Sequence, residues 1–168
     1  MNVEVADISD VKEIHFLINN SYREIPSWTQ ESSLVSGTRI SELSLVNTLK
    51  SEETTILVLK EDEKILGSIC LTYESDASVS FSLFAITPET QNQGLGSRLL
   101  ASAENFAVDK LGAKKLIVKI LSLQQELNEY YLRRNYRESG IKHPYPIGHN
   151  VGVPLVEGLF IKQLEKSA

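Results

Sequence analysis

Between Ile86 and Leu100 the chain reads Thr87-Pro88-Glu89-Thr90-Gln91-Asn92-Gln93-Gly94-Leu95-Gly96-Ser97-Arg98-Leu99. An apolar run stops at a proline, a polar segment follows, and two glycines open a helical pattern. A loop of small residues entering a helix leaves several backbone N–H groups without acceptors, and the helix dipole adds partial positive charge, so this stretch suits an anion. A Rossmann fingerprint needs a third glycine where Leu99 stands, and an acidic residue about 20 positions further on, where Lys114-Lys115 stand. A Walker A loop needs Gly-Lys-Ser/Thr after its four-residue gap, and that is absent. The residues alone leave open a plain glycine-rich turn into a helix.

The segment that presents this loop carries its own signal. Val79, Phe81 and Leu83 alternate with serines, then the parity slips and the apolar residues become Leu83, Phe84 and Ile86. One extra residue in a strand is the trace of a β-bulge, which bends the strand and frees backbone groups beside the loop. Upstream, Val3-Glu4-Val5 is a short strand, and Val11, Ile14, Leu17 and Ile18 share a helical face. Ser41 to Leu49 has a second helical period with Leu43, Val46 and Leu49 in phase. Residues 54–60 and 65–73 read as an antiparallel hairpin around Glu61-Asp62-Glu63-Lys64.

Downstream, a helix from Ser97 presents Leu99, Leu100, Ala103, Phe106, Ala107 and Leu111, and Gly112 ends it. Residues 115–121 form a nearly unbroken apolar strand, covered on both faces. The crossover makes it parallel to the bulged strand. Ser122-Leu123-Gln124-Gln125 is a capping box for a helix carrying Leu123, Leu127, Tyr130, Tyr131 and Arg134, which closes at Asn135-Tyr136. A short strand over 136–139, a proline-containing loop over 143–150 and a last strand over 159–164 complete the chain.

The 168 residues suffice for one domain, taken as 1–168, with a full core. A net charge of -5 without a basic stripe argues against nucleic acid. The single cysteine, Cys70, lies in an apolar run and reads as a core residue. His15, His143 and His149 lack metal-ligand spacing, so no metal is expected. No stretch is long and apolar enough for a membrane span and no leader pattern opens the chain, so a soluble, cytoplasmic protein is expected.

The sequence resembles the GNAT family of acetyl-coenzyme A-dependent N-acetyltransferases. Their Q/R-x-x-G-x-G/A motif is matched by Gln91-Asn92-Gln93-Gly94-Leu95-Gly96, and their second motif resembles Tyr130-Tyr131-Leu132-Arg133-Arg134-Asn135-Tyr136. Asn20-Ser21-Tyr22-Arg23, Trp28-Thr29-x-Glu31 and Gly37-x-Arg39 extend the likeness toward the N-terminus. Asn92 and Asn135 stand where many members have glycine, and Gln124 replaces the common asparagine. The resemblance implies an α/β (α+β) GNAT fold: a mixed, mostly antiparallel twisted sheet of six to seven strands with about four helices.

It also implies a site. N–H groups from Gln91, Asn92, Gln93, Gly94, Leu95, Gly96 and Ser97 would cradle the coenzyme A pyrophosphate. The pantetheine arm would lie along Phe84, Ala85 and Ile86 and bond Gln124. Arg98 would add charge for phosphate or stand as a solvated helix residue. Tyr131 would protonate the departing thiolate; its spacing also suits a core aromatic. Glu31 is the first candidate base, with Glu24 and His143 behind it, and all three read equally as loop residues. Tyr22, Trp28 and Arg39 are acceptor-side candidates, Arg39 either reading a carboxylate or serving an internal ion pair. The expected reaction is direct acetyl transfer in a ternary complex to a primary amine of a small molecule, amino-acid derivative or peptide. A non-catalytic acyl-CoA-binding module is the alternative, and a nucleotide-binding regulatory domain stands behind it. Homodimers are common in the family, and nothing in the sequence marks an interface.

Overall fold

The computed structural model describes residues 1–24, 34–147 and 152–168, Glu24 through its backbone alone. In chain order its elements are β1 (Asn2–Val5), α1 (Val11–Asn19), β2 (Val35–Ser36), α2 (Glu42–Lys50), β3 (Thr54–Glu61), β4 (Lys64–Glu74) and β5 (Ser78–Ile86). Then come α3 (Leu95–Leu111), β6 (Lys115–Leu121), α4 (Gln125–Leu132), β7 (Arg137–Pro144), β8 (Val153–Pro154) and β9 (Phe160–Ser167). Seven strands form one sheet in the order β1-β3-β4-β5-β6-β9-β7, and β2 pairs with β8 in a separate ribbon. Only β5 and β6 run parallel, because α3 carries the chain back across the sheet. The mixed, mostly antiparallel sheet and its four α-helices match the expected GNAT fold.

Both faces of the sheet are buried. Alternation along β3 sends Ile56 and Val58 beneath α1 and α2, with Ile14, Ile18 and Leu45. Leu57 and Leu59 go to the opposite face, with Leu99, Leu100 and Ala103 of α3 and Leu127 of α4. Two-sided burial is why β3, β4 and β6 read as apolar runs, whereas β5 alternates apolar residues with small serines. At Gly67 of β4 a Cβ atom would stand 2.6 Å from Ile86 Cδ1, 3.1 Å from Leu99 Cδ2 and 3.2 Å from the Ala85 carbonyl oxygen. Glycine there lets β5 and α3 close onto β4, directly under the end of the bulged strand.

Three local expectations change. In α2, Leu43 is 71% exposed and Leu45 is fully buried, with Val46 and Leu49 beside it. The stripes 43-46-49 and 45-46-49 share two members, and docking against α1 and β3 selects the second. The capping box does not form: Gln124 precedes α4, and the Ser122 hydroxyl accepts the Phe160 N–H at 3.3 Å. The start of β9 lies alongside and recruits that serine. Finally, β7 runs through His143 and Pro144, residues expected in a loop, because β9 offers them a partner through His143↔Ile161 and Pro144↔Phe160.

Candidate active site

The bulge forms where the parity slip places it. Cys70 of β4 faces Ser82, whereas Ser68 faces Ala85, and Leu83 adopts φ +50°. Phe81 therefore packs under α3, Leu83 on the α1 face, and Phe84 under α3 again. The pairing of β5 with β6 lasts only from Ser78↔Lys115 to Phe81↔Val118, and beyond it the strands part. Side chains hold the bent strand end. Ser68 Oγ donates to the Leu83 carbonyl at 3.3 Å, and the Tyr22 hydroxyl to the Phe84 carbonyl at 3.1 Å. The Ile86 carbonyl accepts from Gln91 Nε2 at 3.1 Å and Ser21 Oγ at 3.3 Å. The Phe84 and Ile86 carbonyls are thus engaged within the protein, and Gln91 latches the loop to its strand.

After a single turn over Pro88–Thr90 the loop takes left-handed backbone at Asn92 (φ +63°) and Gly94 (φ +79°). Asparagine and glycine are the residues that accept that geometry at least cost. Gly94 starts α3 at Leu95, two residues before the expected Ser97. In the first helical turn the N–H groups of Leu95, Gly96 and Ser97 have no intrahelical acceptors. These residues border a groove of about 460 Å³ lined also by Gln91, Asn92 and Gly94 from the loop, by Glu126, Glu129 and Tyr130 of α4, and by Arg133 and Arg134 just after it.

Where β5 and β6 part lies a recess of about 130 Å³, lined among others by Tyr22, Arg39, Ser82, Phe84, Lys119, Gln124, Tyr131 and Tyr145. Tyr131 is 4% exposed and packs edge-on against the rings of Tyr130 and Tyr136. Burial above all, with Tyr22 and Tyr130 nearby, pushes its phenol well above the ordinary value, so the proton stays on. It belongs to the core and lines the recess at once. Gln124 Oε1 accepts the Leu121 N–H at 3.2 Å, while its buried Nε2 has no acceptor among the described residues. A buried amide donor is ordinarily satisfied, so this one fits a ligand that brings a carbonyl.

On the opposite wall the Arg39 guanidinium stands over the Tyr22 ring, 5.4 Å from its centroid. Asn19 Oδ1 positions that segment by accepting the N–H groups of Arg39 at 2.8 Å and Ile40 at 3.3 Å. Burial raises the Tyr22 phenol. Arg23 donates through Nε to the Gly37 carbonyl at 2.9 Å, and burial, then repulsion from Arg39, lowers it to about 10.

Some expected site residues fall elsewhere. Arg98 turns away from the groove and donates to the Met1 carbonyl at 2.8 Å. Gln93 is exposed and does not line the groove. The Ala85 side chain is fully buried on the α1 face. His143 bonds Gln163 Oε1 through Nε2 at 2.8 Å and does not line the recess. Trp28, Glu31, His149 and the Glu24 side chain lie outside the described residues. Cys70 is 2% exposed, sits beneath α1, and burial raises its thiol.

Arg134 lines the groove without having been among the expected site residues. The Arg134 guanidinium stacks on the Tyr130 ring, 3.5 Å from its centroid, donates to the Tyr130 carbonyl at 3.0 Å and bonds Ser97 Oγ. It ties the end of α4 to the first turn of α3 and places a cation on the rim of the N–H array. The only sequence signal was its position four residues after Tyr130, where an arginine can reach back over the ring.

A bent parallel pair, an N–H-rich helix start beside it and a tyrosine-lined recess beyond define an acyl-transferase architecture. A family model described as "Acetyltransferase (GNAT) domain" matches residues 52–138, more than half of the chain, and the protein belongs to that family. Among proteins of curated function none matches the sequence significantly. Solved structures share the fold at low identity. The smu.2055 protein of Streptococcus mutans UA159 is 17% identical with a TM-score of 0.74, covering 99% of each chain. The ribosomal-protein-S18-alanine N-acetyltransferase of Escherichia coli is 13% identical with a TM-score of 0.72, covering 99% of this chain and 92% of its own. A spermidine N-acetyltransferase SpeG mutant of Vibrio cholerae is 15% identical with a TM-score of 0.69, covering 99% and 95%. Among the described residues no group of His, Cys, Asp and Glu could hold a metal ion, and no helix is long and apolar enough to cross a membrane.

Proposed function

We propose that the chain is one catalytic domain over residues 1–168 that moves the acetyl group of acetyl-CoA directly to a primary amine. The observation that carries this reading is that groove and recess lie at neighbouring positions of the bent end of β5, Ile86 lining one and Phe84 the other, with Tyr130 and Tyr131 of α4 likewise divided between them. The names of the E. coli and V. cholerae neighbours both specify amine acceptors, which supports an amine here.

Acetyl-CoA supplies an activated thioester carbonyl. The N–H groups of Leu95, Gly96 and Ser97, with Arg134, are suited to its pyrophosphate. Gln124 Nε2 is suited to an amide carbonyl of the pantetheine arm. Burial keeps Tyr131 protonated at Oη, so it can hydrogen-bond the departing thiolate and pass it the proton as the carbon–sulfur bond breaks, the proton that the attacking nitrogen loses on forming the amide restoring the phenol. Bringing amine and thioester together in one recess converts a bimolecular encounter into a positioned one. Cys70, buried on the other face with its thiol raised, offers no nucleophile to the recess, which favours direct transfer.

Release of free thiol from acetyl-CoA across an amine panel tests the reading. Turnover that falls at least tenfold in Tyr131→Phe, with acetyl-CoA affinity retained, is the expected result. Thermal stabilisation by CoA with no thiol release from any amine would instead favour a non-catalytic acyl-CoA-binding module.

A further inference from the structure

We infer that the acceptor is an amine bearing its own carboxylate a few bonds from the reacting nitrogen, an amino acid or close derivative, and that Arg39 reads that carboxylate. The inference rests on the acetyltransferase reading above and narrows it to a substrate class. Among the described residues the recess that holds Tyr131 is lined by two cationic side chains, Arg39 and Lys119, and by no carboxylate. Lys119 has Glu74 at 3.6 Å, so its charge is already answered outside the recess. Arg39 forms no ion pair among the described residues; its guanidinium rests on the Tyr22 ring, with its backbone held by Asn19. That ring is itself fixed by the hydroxyl's bond to the Phe84 carbonyl, so the guanidinium has a rigid platform. A planar fork of donors, held in place and lacking an anion, matches a carboxylate in two-pronged fashion.

The same charge argues against the polycations that one structural neighbour is named for. A second ammonium placed beside Arg39 would meet like charge, with no carboxylate among the described residues of the recess to answer it. A positive wall also favours the neutral form of the reacting amine, which is the nucleophilic form. Arg39 and Tyr131 line the same small recess, which suits an anion and a reacting nitrogen close together in one molecule.

The experiment compares free amino acids, their methyl esters and spermidine as acceptors, reading thiol release from acetyl-CoA with the full chain. Free acids should exceed their esters by roughly tenfold to a hundredfold in kcat/KM. In Arg39→Gln that advantage should collapse through a higher acceptor KM, Arg39→Lys should restore part of it, and stabilisation by CoA should persist in both. Esters as good as acids, spermidine as the better acceptor, or equal losses for acid and ester in Arg39→Gln would overturn the carboxylate inference and leave acetyl transfer standing. Thiol release with no amine would overturn both, a distinguishable result.

Discussion

The Tyr22 hydroxyl donates to the Phe84 carbonyl at 3.1 Å, joining residues 62 positions apart in sequence. This bond turns a strand irregularity into a fixed wall, because the bulge that starts at Leu83 would otherwise point that carbonyl into the recess. It also anchors the ring on which Arg39 rests. Tyr22→Phe should therefore lose about 1–2 kcal/mol of stability, read as a lower urea midpoint at unchanged slope. An unchanged midpoint would mean the carbonyl finds another donor.

Gly67→Ala should destabilise the fold by about 1–3 kcal/mol, since its Cβ would press on Ile86, Leu99 and the Ala85 carbonyl. The displaced Ile86 adjoins the groove, so acetyl-CoA affinity should fall along with the melting temperature. Calorimetry of the variant with and without CoA separates the two effects.

Arg134→Ala should raise the acetyl-CoA Kd about tenfold, or ~1.4 kcal/mol, by removing the cation on the groove rim. Turnover at saturating acetyl-CoA should be largely retained, and the salt dependence of binding should become shallower. Titration calorimetry at two ionic strengths checks both. A loss of turnover without a loss of affinity would place Arg134 elsewhere in the reaction.

Tyr131 and Tyr136 both have phenols raised by burial, Tyr136 also by the Glu104 carboxylate that its hydroxyl contacts at 2.8 Å. The unfolded phenols ionise near pH 10 while the folded ones stay protonated. Their stabilisation is complete below that value and is lost as pH rises through it, so unfolding should become steeply easier above about pH 10. Tyr131→Phe should flatten part of that alkaline decline. In the wild type, turnover should show no fall from Tyr131 ionisation at lower pH.

Asn19→Ala should loosen the segment that carries Arg39 without touching the groove. The expected signature is a severalfold rise in acceptor KM with an unchanged acetyl-CoA Kd. A matching loss in both would assign Asn19 a general packing role.

Much of this was legible in the residue order because the controlling interactions are local. Period-two alternation broken at Leu83 marked the bulge, and the two glycines Gly94 and Gly96 marked where the loop enters α3. The apolar face of α3 followed from periodicity and β6 from its apolar run, although Lys115 and Lys119 leave one face of that strand only partly covered. The α2 stripe was ambiguous because two phases share Val46 and Leu49, and only a docking partner distinguishes them. Ser122 carried a valid capping pattern, yet β9 offered its hydroxyl a different N–H.

The chain's own order thus specified the proposed donor side: strand, bulge, glycine loop and helix are consecutive, so short-range geometry builds them. The proposed acceptor side was decided only in three dimensions. Arg39, Tyr22 and Tyr131 come from three distant segments, and they share a recess because β5 and β6 part after Phe81 and Val118. Arg134 likewise became a groove residue, in place of Arg98, because the segment after α4 meets the first turn of α3 through Arg134 and Ser97. Which way a side chain points depends on how helices pack across a twisted sheet, and residue order alone does not carry that angle.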